Sequence, residues 1–264
     1  MPHPTPADPI VPLLPSDTER SRYETLLQTL AAWRTLFIGR RVLDFGSSVG
    51  LSSIALIRHG AAEVVGVEPN LSRVEQGRTL LAELALDAKI SLIHTPKTVA
   101  LPFADGEFAF ILANAVIEHI AQPRDSYIRE LWRVLAPGGH LMINETPNKY
   151  WPKELHTTQL WFNNWLPRRL AHWRAVRRRR FDASRTDWDS SGWRGLGYFE
   201  MVRSINGYRL IPEQTARRHH LFARAGLPAS ILDPYPTWIL QKRGSTYVPP
   251  KRKRKSVKAR RRSS

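Results

Sequence analysis

The chain has 264 residues, of which 42% are apolar and none is cysteine, and its formal net charge is +17. This length permits one α/β core. No apolar run reaches the roughly 20 residues of a membrane span, and the lack of cysteine excludes disulfides, thiol nucleophiles and cysteine-ligated metals. The charge is local, because Lys251 to Arg262 carries nine basic residues and Arg168 to Arg180 carries seven, both without an acid. We expect a soluble, cytoplasmic protein without an obligate protein partner.

The hydrophobic periodicity predicts alternating helices and strands through residue 147. Ser16 precedes the first helix as an N-cap, and Pro137 with the two following glycines ends the last one. Short apolar strands that alternate with helices predict an α/β fold, in which a mostly parallel sheet is covered by helices on both faces. In chain order the predicted elements are helix 19–37, strand 41–45, helix 49–59, strand 63–68, helix 71–86, strands 89–94 and 108–113, helix 125–135 and strand 140–144.

The character of the chain changes after Pro147. Six of the nine tryptophans fall between Trp151 and Trp193, and no strand pattern interrupts them. We predict that this part is a helical, tryptophan-rich insert, and that the chain then returns to the sheet through helix 212–226 and strands 228–232 and 237–241. The predicted divisions are a flexible N-terminus 1–16, a core 17–147, the insert 148–201, the C-terminal part of the core sheet 202–247, and a disordered basic tail 248–264.

A turn of small residues, Gly46 to Gly50, connects the strand that ends in Asp44-Phe45 to the next helix, and Glu68 ends the following strand. Small residues let backbone approach a ligand, and an acid about 20 residues further on suits a ribose diol. Leu51-Ser52 does not provide the lysine of a phosphate-binding loop, and the turn lacks the third glycine of a dinucleotide fingerprint. The pattern therefore indicates an adenosyl cofactor of another kind.

Four segments in order resemble the class I S-adenosylmethionine-dependent methyltransferases. They are Asp44 to Gly50 with Glu68, Leu101 to Phe108, Val116 to Ile120, and Arg133 to Gly139. The resemblance covers about residues 40 to 147 and implies a Rossmann-like fold, methyltransferase activity and S-adenosylmethionine as the cofactor. Serine replaces the family's middle glycine at position 48, which we expect to keep a negative φ. The cofactor-binding residues that the resemblance implies are Asp44, Gly46, Ser47, Ser48, Gly50, Glu68, Pro69, Lys97, Thr98 and Asn114.

Two histidines are candidates for catalysis. Transfer from a sulfonium depends mainly on positioning and needs a base when the acceptor is a hydroxyl. His119 follows the fourth strand and His156 the fifth, and ligands of an open parallel sheet lie beyond these strand ends. A helix-facing role for His119 and a turn-capping role for His156 are the structural alternatives. We predict that His156, His119 and Glu118 are the catalytic residues, and we expect no metal site.

The methyl acceptor is less determined than the donor. A small or lipid-linked acceptor, methylated at oxygen, suits an aromatic insert that serves as a lid or acceptor site. The basic segments Arg168–Arg180 and Lys251–Arg262 also suit an anionic membrane surface, which implies peripheral location, or RNA. An RNA methyltransferase is therefore one alternative. A catalytically degenerate binding or adaptor protein is another, because Ser48, Lys97 and Ala109 depart from the family pattern.

Overall fold

The structure is a computed structural model that describes Ile10, residues 16–211 and residues 233–244. One seven-stranded sheet has the order β3-β2-β1-β4-β5-β7-β6. The first five strands run parallel, and β7 runs antiparallel to both β5 and β6. The strands are β1 (Arg41–Phe45), β2 (Glu63–Glu68), β3 (Ile90–His94), β4 (Phe108–Asn114), β5 (Leu135–Asn144), β6 (Tyr208–Ile211) and β7 (Trp238–Lys242).

Helices cover both faces of this sheet. Successive strand residues point to opposite faces, so Val42 and Val64 join a buried cluster with α1, α2 and α3, whereas Leu43 and Val65 join a second cluster with α4 and α6. The predicted mostly parallel α/β fold is thereby confirmed. The helices are α1 (Asp17–Trp33), α2 (Leu51–Arg58), α3 (Leu71–Glu83), α4 (Asp125–Val134), α5 (Arg168–Arg177) and α6 (Tyr198–Val202).

Several predicted element ends shift because of local backbone geometry. The Ser16 side chain caps α1 as expected, accepting a hydrogen bond from the backbone N–H of Glu19 at 3.2 Å. Helix α2 begins at Leu51, since Gly50 adopts a left-handed φ of +89° as its N-cap. The turn Pro137 to Gly139 lies inside β5 instead of before it. At this turn the register between β4 and β5 shifts, because Phe108 pairs with Leu135 but Phe110 pairs with His140.

The described residues between β5 and β6 include α5 and α6 but no strand of the main sheet. Part of this segment has its own small core, in which Ala171 and Ala175 of α5 pack near the stacked rings of Trp188 and Trp193. The sequence did not predict β6, a four-residue edge strand. The predicted helix 212–226, strand 228–232 and tail 248–264 lie outside the described residues.

Candidate functional site

Asp44 is a buried carboxylate at the end of β1. It is 1% exposed, and its Oδ2 accepts hydrogen bonds from the hydroxyls of Ser52 and Ser53, both at 2.6 Å. Its Oδ1 is buried and has no hydrogen-bond partner among the described residues. Burial raises the pKa of Asp44 to about 6, and the nearby charge of Glu68 adds to this effect, whereas the two serine hydroxyls oppose it. One carboxylate oxygen is thus left for a ligand.

The turn after Asp44 has three residues in the left-handed region. Gly46, Ser48 and Gly50 have φ values of +77°, +52° and +89°. The expectation of a negative φ at Ser48 is therefore wrong. A left-handed serine is strained, but this conformation directs the Ser48 N–H to Oε2 of Glu68 at 3.0 Å. A hydrogen bond to a charged acceptor contributes about 1.5–3 kcal/mol, which offsets the strain.

Two close packing contacts fix the position of this turn. A Cβ on Gly46 would lie 2.5 Å from a methyl group of Val116, so the turn packs directly on the segment that follows β4. A Cβ on Gly77 of α3 would lie 2.8 Å from the carbonyl oxygen of Val49. Only glycine permits both approaches without displacement of a neighbour. The turn is therefore held between α3 and the residues after β4.

Glu68 connects the turns at the ends of β1 and β2. It is 7% exposed, and while Oε2 accepts from Ser48, Oε1 accepts from the backbone N–H of Asn70 at 3.0 Å. A carboxylate oxygen has a second lone pair available. Glu68 can therefore keep both backbone bonds and also accept from a ribose diol. The neighbouring Pro69 carbonyl lies 3.1 Å from Nε2 of His94.

The remaining predicted cofactor residues lie at the ends of β3 and β4. Asn114 Oδ1 accepts from the Asn144 side chain at 2.7 Å, which joins the ends of β4 and β5. Lys97 and Thr98 follow β3. The Lys97 side chain is exposed and Thr98 is half-buried. Ser47 is buried inside the turn, beside Gly66. All the predicted residues thus follow the carboxyl ends of neighbouring parallel strands.

Glu118, His119 and His156 lie together at the ends of β4 and β5. Glu118 is fully buried, and its Oε2 accepts from the Thr146 hydroxyl at 2.9 Å. Its Oε1 lies 3.9 Å from Nε2 of His119 and 3.9 Å from Nε2 of His156. The centroids of the two imidazole rings are 5.0 Å apart. His119 and His156 are thus brought together although they lie 37 positions apart in the chain. We call Glu118, His119 and His156 the Glu-His-His cluster.

Backbone carbonyls hold both imidazoles from the other side. Nδ1 of His119 lies 2.9 Å from the Ser190 carbonyl, and Nδ1 of His156 lies 3.2 Å from the Ser191 carbonyl. Burial raises the pKa of Glu118. Burial, with a further contribution from the neighbouring His119, lowers the pKa of His156. The environment thus favours neutral His156.

The sequence did not identify Glu154, which organises the loop that carries His156. Glu154 is buried, and its carboxylate accepts backbone N–H bonds from His156 at 2.6 Å, Thr157 at 2.8 Å and Gln159 at 3.2 Å, and a further one from Thr158. The sequence signal for this role was an acidic residue shortly before a run of polar turn residues, whose backbone N–H groups it can accept from. The backbone of His156 is therefore held by this loop, and its Nδ1 also lies 3.4 Å from the Thr157 hydroxyl.

Arg124 is a second residue that the sequence did not identify. It is 2% exposed, and it donates to the carbonyls of Glu118 at 3.1 Å and Ile120 at 2.8 Å, and to the carbonyl of Gly195 at 2.5 Å. Its guanidinium also pairs with Glu200 at 3.4 Å. Its partners lie up to 76 residues away, so no local pattern could predict this role. Arg124 fixes the Glu118 turn against the insert.

An exposed aromatic surface lies on the insert, and we call it the tryptophan surface. Trp161, Phe162, Trp165, Leu170 and Trp173 are 45–56% exposed. The exposed side of α5 also carries arginines, and the Arg177 guanidinium lies over the Trp173 ring at 5.5 Å. No helix in the described part of the chain is long and apolar enough to cross a membrane. The tryptophan surface thus combines exposed apolar rings with cationic arginine side chains.

Part of the chain is similar to known proteins. Residues 43–143 match the family model described as a methyltransferase domain. The chain is 36% identical over 107 residues to the demethylmenaquinone methyltransferase of Clavibacter sepedonicus. These residues make up 40% of this chain and 41% of that protein. It is 34% identical over 140 residues to the ubiquinone biosynthesis O-methyltransferase of Ruegeria pomeroyi, 52% of this chain and 54% of that protein.

A solved structure extends the likeness of the fold. A putative sarcosine dimethylglycine methyltransferase from Galdieria sulphuraria superposes with a TM-score of 0.55 at 12% identity, over 85% of this chain and 86% of that one. The chain spans only about half, or less, of the length of the two curated relatives. The residues of the family match, 43–143, include nearly all of the five parallel strands and the helices α2 to α4.

Asp44 should make the stability of the ligand-free protein depend on pH. Its folded pKa of about 6 exceeds its usual 3.8, so the folded state binds the proton more tightly and loses stability as pH rises from 4 to 7. This loss amounts to about 2 kcal/mol. In Asp44→Asn, the free energy of unfolding should no longer show this decrease with pH. Urea unfolding of both proteins at several pH values measures it. Equal slopes for the two proteins would contradict the assigned environment of Asp44.

Proposed function

We propose that this chain, whose residues 43–143 form a class I S-adenosylmethionine-dependent methyltransferase domain, methylates a hydroxyl oxygen of a small or lipid-linked acceptor. The observation that carries the proposal is the pair of buried carboxylates, Asp44 and Glu68, around a left-handed turn at the sheet's carboxyl edge. Two similar proteins are named as methyltransferases, one of them an O-methyltransferase. The name of the second protein supports the transfer to oxygen.

The residues of the turn suit S-adenosylmethionine. The unpartnered Oδ1 of Asp44 can accept from the ammonium of the methionine end, and a buried carboxylate favours a cation. The second lone pairs of Glu68 can accept from the ribose hydroxyls. No lysine or pyrophosphate-binding glycine is required, because this cofactor carries no phosphate.

The reaction is a displacement at the methyl carbon. The acceptor oxygen forms the new O–CH₃ bond as the C–S bond breaks, the electron pair of that bond remains on sulfur, and S-adenosylhomocysteine leaves. The hydroxyl proton must be removed. The Glu-His-His cluster offers imidazole nitrogens at the ends of β4 and β5, where a bound acceptor would lie. Neutral His156, whose pKa is lowered by burial, suits this task near neutral pH.

The tryptophan surface supports a lipid-linked acceptor. Its exposed rings can enter the interfacial region of a bilayer, and the adjacent arginines can contact anionic headgroups. Arg168 is paired with Asp189 at 2.5 Å, but Arg169 and Arg177 are exposed on the same helix. We propose that α5 and the residues before it bring the protein to an anionic membrane, where the acceptor is located.

The cofactor assignment predicts that Glu68 controls affinity for S-adenosylmethionine. Glu68→Gln keeps the shape of the side chain but removes the charge, and should weaken binding about 10–100-fold, as expected for loss of hydrogen bonds to a charged acceptor. Isothermal titration calorimetry of the full chain measures this change. Glu75→Gln, an exposed acid on α3, is the matched control and should bind as the unmodified protein does. No binding by the unmodified protein would reject the proposal.

The membrane assignment predicts binding to anionic vesicles. The full chain should sediment with phosphatidylcholine–phosphatidylglycerol vesicles and not with phosphatidylcholine alone. Replacement of Trp161, Trp165 and Trp173 by alanine should reduce the bound fraction at least fivefold. The exposed residues Ile38 and Val99, replaced by alanine, provide a control. Equal vesicle binding by the triple variant, or tight binding to RNA that vesicles do not displace, would overturn this assignment.

A further inference from the structure

Three hydrogen-bond acceptors converge in the Glu-His-His cluster. Oε1 of Glu118 is buried and has no hydrogen-bond partner among the described residues. The Nε2 atoms of His119 and His156 each lie 3.9 Å from this oxygen, and one ligand atom from each of the three residues lies within 4.8 Å of the other two. A distance of 3.9 Å is too long for a hydrogen bond. A buried carboxylate oxygen without a partner is costly, so the cluster requires a further group.

The backbone bonds of the two imidazoles decide which nitrogen carries hydrogen. A carbonyl only accepts, so Nδ1 of His119 must donate to Ser190 and Nδ1 of His156 must donate to Ser191. In the neutral rings, Nε2 then carries a lone pair. Both lone pairs face the same carboxylate. In metal-binding histidines, one ring nitrogen usually binds the ion while the other donates its hydrogen to a backbone carbonyl or a similar acceptor.

Within residues 16–211 and 233–244, no Lys or Arg side chain bonds directly to the Glu118 carboxylate. Arg124 donates to the backbone carbonyl of Glu118, and its guanidinium pairs with Glu200. The other oxygen of Glu118 is used by the Thr146 hydroxyl. The negative charge of Oε1 is therefore directed toward the two imidazoles, where a positive ion would lie between three ligand atoms.

We infer that Glu118, His119 and His156 form a binding site for a divalent transition-metal ion such as Zn²⁺ or Mn²⁺. Two imidazoles and one carboxylate are an established ligand set for such ions. Around Zn²⁺, tetrahedral ligand atoms lie about 3.4 Å apart, so each nitrogen must approach the carboxylate by about half an ångström, and ligand atoms as much as 4.8 Å apart must approach each other by up to about 1.4 Å. The histidine side chains are 48% and 27% exposed, which permits this movement. This inference departs from the sequence-based expectation of no metal site.

Three protein ligands leave at least one coordination position open. The consequence for catalysis rests on the proposed function, although the metal site itself does not. The acceptor hydroxyl could occupy the open position, where a bound ion would lower its pKa. The hydroxyl proton would then pass to water, because Nε2 of His156 would be a ligand of the ion; in the ion-free site, His156 remains the base proposed above.

The test is metal binding by the tag-free full chain after removal of bound metal with a chelator. Calorimetric titration with Zn²⁺ and with Mn²⁺ should show one ion per chain for at least one of them. His119→Gln and Glu118→Gln should each weaken binding at least tenfold. His119 is half-exposed, so its replacement does not threaten the fold, and circular dichroism checks Glu118→Gln. Binding should also weaken below pH 6, because the imidazoles must be deprotonated.

His140→Gln is the matched control, because His140 lies in the middle of β5, where it pairs with Phe110, and is not part of the cluster. It should bind the ion as the unmodified protein does. The inference is overturned if neither ion binds, or if all three variants bind equally. Binding that requires the cluster, in a protein that transfers no methyl group, would support the metal site while rejecting the proposed function. The two failures are thus distinguishable.

Discussion

The bridge that Glu68 forms between two backbone turns is the interaction on which the rest of the site depends. Its carboxylate accepts from Ser48 after β1 and from Asn70 after β2. Because these strands are parallel neighbours, one side chain aligns both turns at the same edge of the sheet. This hydrogen bond offsets the strain of the left-handed Ser48. Glu68 therefore stabilises the turn that follows Asp44.

Buried acids recur along this edge. Asp44 and Glu118 each satisfy one carboxylate oxygen with serine or threonine hydroxyls and leave the other without a partner among the described residues. Such an arrangement costs stability unless a cation or a donor completes it. Burial raises the pKa of both carboxyl groups. The described residues thus include two incomplete anionic positions, which the proposed function assigns to the donor cofactor and to the side of the acceptor.

Strong periodicity and strand-end motifs predicted the sheet, its helices and the strand-end positions of His119 and His156. Local patterns could not predict the φ of Ser48, which depends on a carboxylate 20 residues away, or Arg124, whose partners lie in the insert. They also did not indicate the edge strand β6, which is short and stabilised by pairing with β7. The metal-compatible geometry depends on the Ser190 and Ser191 carbonyls. Only the folded chain brings these to the histidines.

The most direct test of the account is transfer of labelled methyl from S-adenosylmethionine into fractions of a cell extract by the full chain. We expect label in the organic-soluble or small-molecule fraction, bound through oxygen, together with S-adenosylhomocysteine in equal amount. Label confined to RNA, or no transfer by protein that binds the cofactor, would contradict the account.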